Sequence, residues 1–187
     1  LDDEYVISAN PVILEHVPPI VHSRDDVTPY ITSGVVLARN PDSGKHHVCF
    51  IRLSIQESNR VLFNPRTPRI SEIMAGTVGR GKPLDVVILI GAPTELIMLA
   101  ALNFPDQVDE LEVAQALAGD SLAFFHGGLP VPLPSEMVLF GRVMPEYRQE
   151  GPFGELTGMY SIHSNPVCII DSLWTRKSHV YHSIPGG

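Results

Sequence analysis

Ile31-Thr32-Ser33-Gly34-Val35-Val36-Leu37-Ala38-Arg39 and His47-Val48-Cys49-Phe50-Ile51-Arg52-Leu53-Ser54-Ile55-Gln56 flank the segment Asn40-Pro41-Asp42-Ser43-Gly44. The outer runs are rich in β-branched residues, while the segment between them concentrates the residues that turns require. The whole reads as a hairpin.

Working outward, residues 60–63 read as a third short strand, followed by a proline-interrupted loop over 64–68. Upstream, Pro11, Pro18, Pro19 and Pro29 break any long helix, so residues 1–30 read as a segment that leads in or wraps. Downstream, Ile70, Ile73, Met74 and Val78 fall at helical spacing before Gly79 and Gly81. Residues 84–90 form an apolar run suited to a buried strand, and Pro93 fits the first turn of a helix over 94–102. A second helix is expected over 109–118, with Asp109 and Glu112 as a capping box and Gly119 as a left-handed cap. Short strands are then expected over 122–125, 137–144, 157–163 and 167–175, with 127–134 extended and Asn165-Pro166 breaking the last pair. Strands at both ends with helices collected in the middle indicate an α+β domain on an antiparallel sheet or barrel.

A chain of 187 residues with 44% hydrophobic and 18% charged content can bury a core unaided. No apolar run approaches the ~18 residues of a membrane span. The formal charge of -8 and pI near 5.4 argue against nucleic acid as a partner, because phosphate neutralisation needs clustered Lys and Arg. Cys49 and Cys168 lie in apolar stretches and read as buried reduced thiols. No basic segment with an apolar core opens the sequence, so a cytoplasmic location is expected.

Chemistry points to Glu150-Gly151-Pro152-Phe153-Gly154-Glu155. Pro152 and the two glycines exclude a helix, so the two carboxylates read as carried on a shaped loop. Paired carboxyls in different environments can divide acid and base roles. The alternative is a solvated acidic turn before a strand.

This stretch, together with Pro134-Ser135-Glu136-Met137-Val138-Leu139-Phe140-Gly141, resembles the signature of the UbiD family of decarboxylases, which use prenylated FMN. Tyr30-Ile31-Thr32-Ser33-Gly34-Val35-Val36, Arg52, Gly81-Lys82-Pro83-Leu84 and Ala116-Leu117-Ala118-Gly119-Asp120-Ser121 follow in the family's order. The resemblance implies a mainly antiparallel, flavin-reductase-like split β-barrel with helices packed on one side. It divides the chain into a lead-in segment 1–30, the barrel domain 31–183 and a tail 184–187. Family members carry further domains on either side, so this chain is expected to form a homo-oligomer or to serve as a partner subunit.

By the same resemblance, Arg52, Glu150 and Glu155 form the catalytic network acting on a small carboxylic acid. An Arg fork suits a carboxylate and keeps a neighbouring acid ionised. The family's Asn, His and Glu ligands to a phosphate-bound divalent metal align with His47, Thr67 and Gly128, none of them the family's residue. The usual metal anchor is therefore not expected. Prenylated FMN or FMN would rest instead on His47, Arg52, Arg66 and Thr67, and His47 with His126 offers an alternative pair for a softer ion such as zinc. Two functions follow: a carboxy-lyase for an aromatic or α,β-unsaturated acid, or a non-catalytic flavin- or partner-binding subunit.

Overall fold

The computed structural model describes residues 4–119, 122–154 and 160–185, with the side chains of residues 126 and 127 outside that description. The lead-in segment supplies β1 (Tyr5–Ala9). The expected hairpin is β2 (Tyr30–Arg39) and β3 (His46–Ile55), followed by β4 (Arg60–Asn64). Then come α1 (Pro68–Gly76), β5 (Leu84–Ile90), α2 (Thr94–Ala100) and α3 (Glu110–Ala118). A small hairpin of β6 (Ala123–Gly127) and β7 (Leu129–Leu133) precedes the long strands β8 (Met137–Gly154) and β9 (Tyr160–Arg176).

Strand order is β1-β9-β4-β3-β2-β5-β8, and β8 pairs back onto β9. Six strands thus close into an antiparallel barrel, with β1 added at the edge of β9. This is the α+β barrel expected from the strand pattern.

Both faces of the wall are covered, which explains why β2 and β5 read as continuous apolar runs rather than as alternating ones. Val36, Ala38, Cys49, Ile51, Val86, Ile88, Leu139 and Cys168 point inward, joined by Ile70, Ile73 and Met74 of α1. The alternate residues Val35, Leu37, Val48, Val87, Leu89 and Val138 lie under Leu96 and Leu99 of α2 and Leu111 and Ala114 of α3. Truncating a side chain at either layer costs ~2–5 kcal/mol in similar cores.

Three local expectations are corrected. The acidic stretch is not a loop as far as Gly154: β8 runs on through Glu150 and Pro152. A register shift between Glu150 and Phe153 leaves Pro152 out of the ladder, which is where a residue without an N–H is tolerated. Gly151 has φ 108° and a Cβ there would collide with the Ser161 carbonyl. Likewise Asn165-Pro166 does not break β9, because Pro166 faces Tyr147 beside a second register shift. Finally, Asp109 caps α3 by accepting from Leu111 N (3.1 Å) and Glu112 N (3.4 Å), while Glu112 pairs with Lys45. Gly119 follows with φ 58° and ψ -130°, outside the left-handed helical region.

Candidate functional site

β3 and β8 bring Arg52 to Glu150. Arg52 donates from Nε at 3.0 Å, and its Nη2 lies 2.9 Å from the same Glu150 Oε1. Glu150 Oε2 accepts a hydrogen bond from Asn165 Nδ2 on β9. The Glu150 side chain is 0% exposed and that of Arg52 14%. Below the guanidinium lies the Phe153 ring, with its centroid 3.9 Å from Arg52 Cζ, and Tyr30 packs edge-on against Phe153 at 4.7 Å. Such a cation over a ring gains most when desolvated. The carboxylate is therefore an acceptor at both oxygens, fixed from two strands.

The end of β8 is held by a second device. Asp26 Oδ1 accepts Gly154 N at 2.9 Å, while its Oδ2 accepts the backbone N–H groups of His22 and Ser23. Glu155, the second expected acid, lies outside the described residues. Asn165 and Asp26 were not legible as site residues, because neither stands at a spacing that announces contact with β8.

Of the expected anchor positions, the fold joins His47 and Thr67 at one cavity of about 220 Å³, shared with Arg69, Asn103 and Asp106. Gly128 is elsewhere, lining a cavity of about 530 Å³ with Arg39, Asn40 and Asp85. Arg66 is exposed and its guanidinium meets His163, the residue opposite Glu150 in the ladder. The His126 side chain lies outside the described residues.

A carboxylate stands beside His47 nonetheless. Glu110 is 0% exposed, and its Oε1 accepts Arg69 Nη1 at 2.7 Å and lies 3.0 Å from His47 Nδ1. Its Oε2 accepts Val48 N at 2.6 Å and lies 3.1 Å from His47 Nδ1. Arg69 also donates to the carbonyl of Val108 at 2.9 Å. Next door, Asp109 Oδ2 accepts His46 N at 3.0 Å and contacts its ring at the same distance. Burial works against the charged form of Asp109, but hydrogen bonds from the His46 backbone and ring outweigh it and hold the carboxyl below its ordinary value. Both carboxylates thus serve the edge of β3 that β4, paired only from Arg52 onward, does not reach. Burial raises both thiols, Cys49 to about 12, so neither is poised as a nucleophile.

A divalent metal does not fit this donor set. The Glu110 carboxylate is already held by Arg69, His47 and Val48, the first through a guanidinium whose charge a dication would have to displace. Among the described residues no three His, Cys, Asp or Glu side chains converge as a metal site. A phosphate-bearing flavin does fit: His47 Nε2 and Arg69 Nε are buried without hydrogen-bond partners, and the Thr67 hydroxyl meets only the Cys49 thiol.

The family model described as the UbiD 3-octaprenyl-4-hydroxybenzoate carboxy-lyase Rift-related domain matches residues 2–187. The chain belongs to the UbiD family. It is 31% identical over 180 residues to an anhydromevalonate phosphate decarboxylase of Methanothermobacter thermautotrophicus, covering 93% of this chain and 42% of the relative. A decarboxylase of the same description from Archaeoglobus fulgidus is 31% identical over 179 residues, 94% of this chain and 41% of that protein. The chain thus spans less than half the length of the curated relatives it matches. Among solved structures, the UbiD-class enzyme HmfF from Pelotomaculum thermopropionicum in complex with FMN superposes with a TM-score of 0.89 at 29% identity, over 97% of this chain and 42% of that one. The vanillic acid decarboxylase of Sedimentibacter hydroxybenzoicus in closed form, at 23% identity and a TM-score of 0.86 over 97% of this chain and 41% of that one, shares the fold. In this UbiD family member, no helix among the described residues is long and apolar enough to cross a membrane.

Proposed function

We propose that this chain carries the flavin-binding barrel of a carboxy-lyase that removes CO2 from an aromatic or α,β-unsaturated carboxylic acid with a prenylated flavin. The observation that carries the reading is the buried Glu150 carboxylate, held by Arg52 on one oxygen and Asn165 on the other. A loose acidic turn would have no such partners.

When bound, the prenylated flavin would supply the electron sink for cleavage of the carbon–carboxylate bond. Arg52 supplies the positive charge that attracts and orients the substrate carboxylate beside Glu150. Phe153 excludes water from beneath the guanidinium, which strengthens every charge interaction at that point. Glu155 returns a proton to the carbon that keeps the bonding electron pair once CO2 has left, and Glu150, a carboxylate at the start of that step, serves as the base of the pair.

The alternative is a non-catalytic flavin- or partner-binding subunit, which the departure at the metal anchor favours. Turnover separates the two. The chain loaded with prenylated FMN should release CO2 from a panel of unsaturated and aromatic acids, to which the relatives' anhydromevalonate phosphate belongs as a first test compound. Glu150→Gln should lower that rate by at least ~100-fold without unfolding the chain, the usual scale for removing a proton-transfer group. Flavin retention with no CO2 from any acid would leave the non-catalytic reading in place of the catalytic one.

A further inference from the structure

The cavity between His47, Thr67 and Arg69 lies at the N-terminus of α1. Thr67 is the N-cap but forms no side-chain bond to its own helix, Pro68 occupies the first turn, and that turn has no acidic residue. The first helical hydrogen bond of this turn runs from Ser71 N to Thr67 O at 3.2 Å, so the N–H groups of Arg69 and Ile70 precede it. A helix end of this kind favours an anion. An independent observation points the same way: the imidazole of His47, 5% exposed, lines the cavity with its Nε2 unpartnered, while Nδ1 is fixed on Glu110.

We propose that the phosphate end of a flavin mononucleotide binds in this cavity directly, on His47, Thr67, Arg69 and the start of α1, with no divalent cation between protein and phosphate. This rests on the flavin reading above and assigns the group that replaces the metal. Arg69 is 9% exposed and its guanidinium sits on Glu110, so the cation that neutralises this buried carboxylate is covalently part of the chain. Its Nε, which has no hydrogen-bond partner and lies 3.9 Å from Asp106 Oδ1, the Thr67 hydroxyl and the His47 ring with both nitrogens protonated are the donors left over for phosphate oxygens. Two acids, Glu72 and Asp106, also line the cavity. The Asp106 side chain is 74% exposed and Glu72 is exposed as well, so solvent and salt screen their repulsion far more than they screen the buried groups.

The test titrates FMN and riboflavin, which lacks the phosphate, into the full chain with and without EDTA, and again with added Mn2+, following the quenching of flavin fluorescence. FMN should bind at least ~10-fold tighter than riboflavin, the scale of one hydrogen bond to a charged group, and the ratio should be unchanged by EDTA or Mn2+. Thr67→Asp provides the second measurement. Aspartate is a good N-cap, so the melting temperature should hold or rise, whereas FMN affinity should fall at least ~10-fold and riboflavin affinity should not. FMN binding that requires Mn2+ would overturn this assignment and leave the flavin reading standing. Equal affinity for the two flavins would also overturn it, and binding of neither would overturn the proposed function together with it.

Discussion

Arg52 and Glu150 are 98 residues apart in the chain, yet Nη2 of one lies 2.9 Å from Oε1 of the other inside the barrel wall. A buried ion pair of this kind is weak support for stability on its own, since desolvation offsets much of the attraction. Its worth lies in the remaining lone pairs being satisfied, and Asn165 does that.

Asn165→Ala should therefore leave Glu150 Oε2 without its donor and destabilise the chain by about 1–3 kcal/mol, the cost of an unsatisfied buried acceptor. The shift in urea midpoint reads this directly. Asn165→Asp should do more damage, because it sets a second carboxylate against the first. A midpoint unchanged in Asn165→Ala would mean that Arg52 alone holds Glu150.

Asp109 predicts an acid dependence. Its carboxyl titrates below the ordinary value of 3.8 in the folded chain, so the unfolded state binds protons more readily. The stability it contributes is complete well above pH 3.8 and is lost as pH falls through the lower folded value. Asparagine caps a helix about as well as aspartate but carries no charge toward His46. Thermal melts should show wild type above Asp109→Asn at pH 6, with the gap closing as pH falls below about 4. A gap that persists in acid would place the effect in packing rather than in ionisation.

Val6 and Ile7 are exposed on β1, an edge strand, and Met98, Leu102 and Leu117 are exposed on or just beyond α2 and α3. Contiguous apolar surface of a few hundred Å2 usually marks an interface. Light scattering at concentrations well above micromolar should give a mass above the 20.5 kDa of one chain. A monodisperse monomer would show these residues to be scattered rather than joined.

The barrel was legible because its signal is periodic and local: both faces of β2, β3 and β5 are buried, and uninterrupted β-branched runs can be read without knowing their partners. Helix positions followed from spacing and from Pro93 and Asp109. Where local rules misled, pairing had overridden them, as at Pro152 and Pro166, which register shifts absorb within β8 and β9. Arg52, Glu150, His47 and Thr67 were visible as motif residues. Arg69, Glu110 and Asn165 were not, since Arg69 lies 41 residues from Glu110 and Asn165 15 from Glu150, and nothing in the intervening sequence sets those distances in space. Gly128, aligned with the third anchor position, lines a different cavity, and Glu110 stands beside His47.

The carboxylates at the start of α3 have one more consequence. β4 pairs with β3 only from Arg52 to Ile55, so the first half of β3 would otherwise present bare N–H groups to any strand that approached. Asp109 accepts His46 N and Glu110 accepts Val48 N, two alternate residues on that margin. Two acidic side chains thus do the work of a missing strand, because the N–H groups they hold are no longer available to an approaching edge. That margin of β3 is thereby closed to edge-to-edge pairing by another chain.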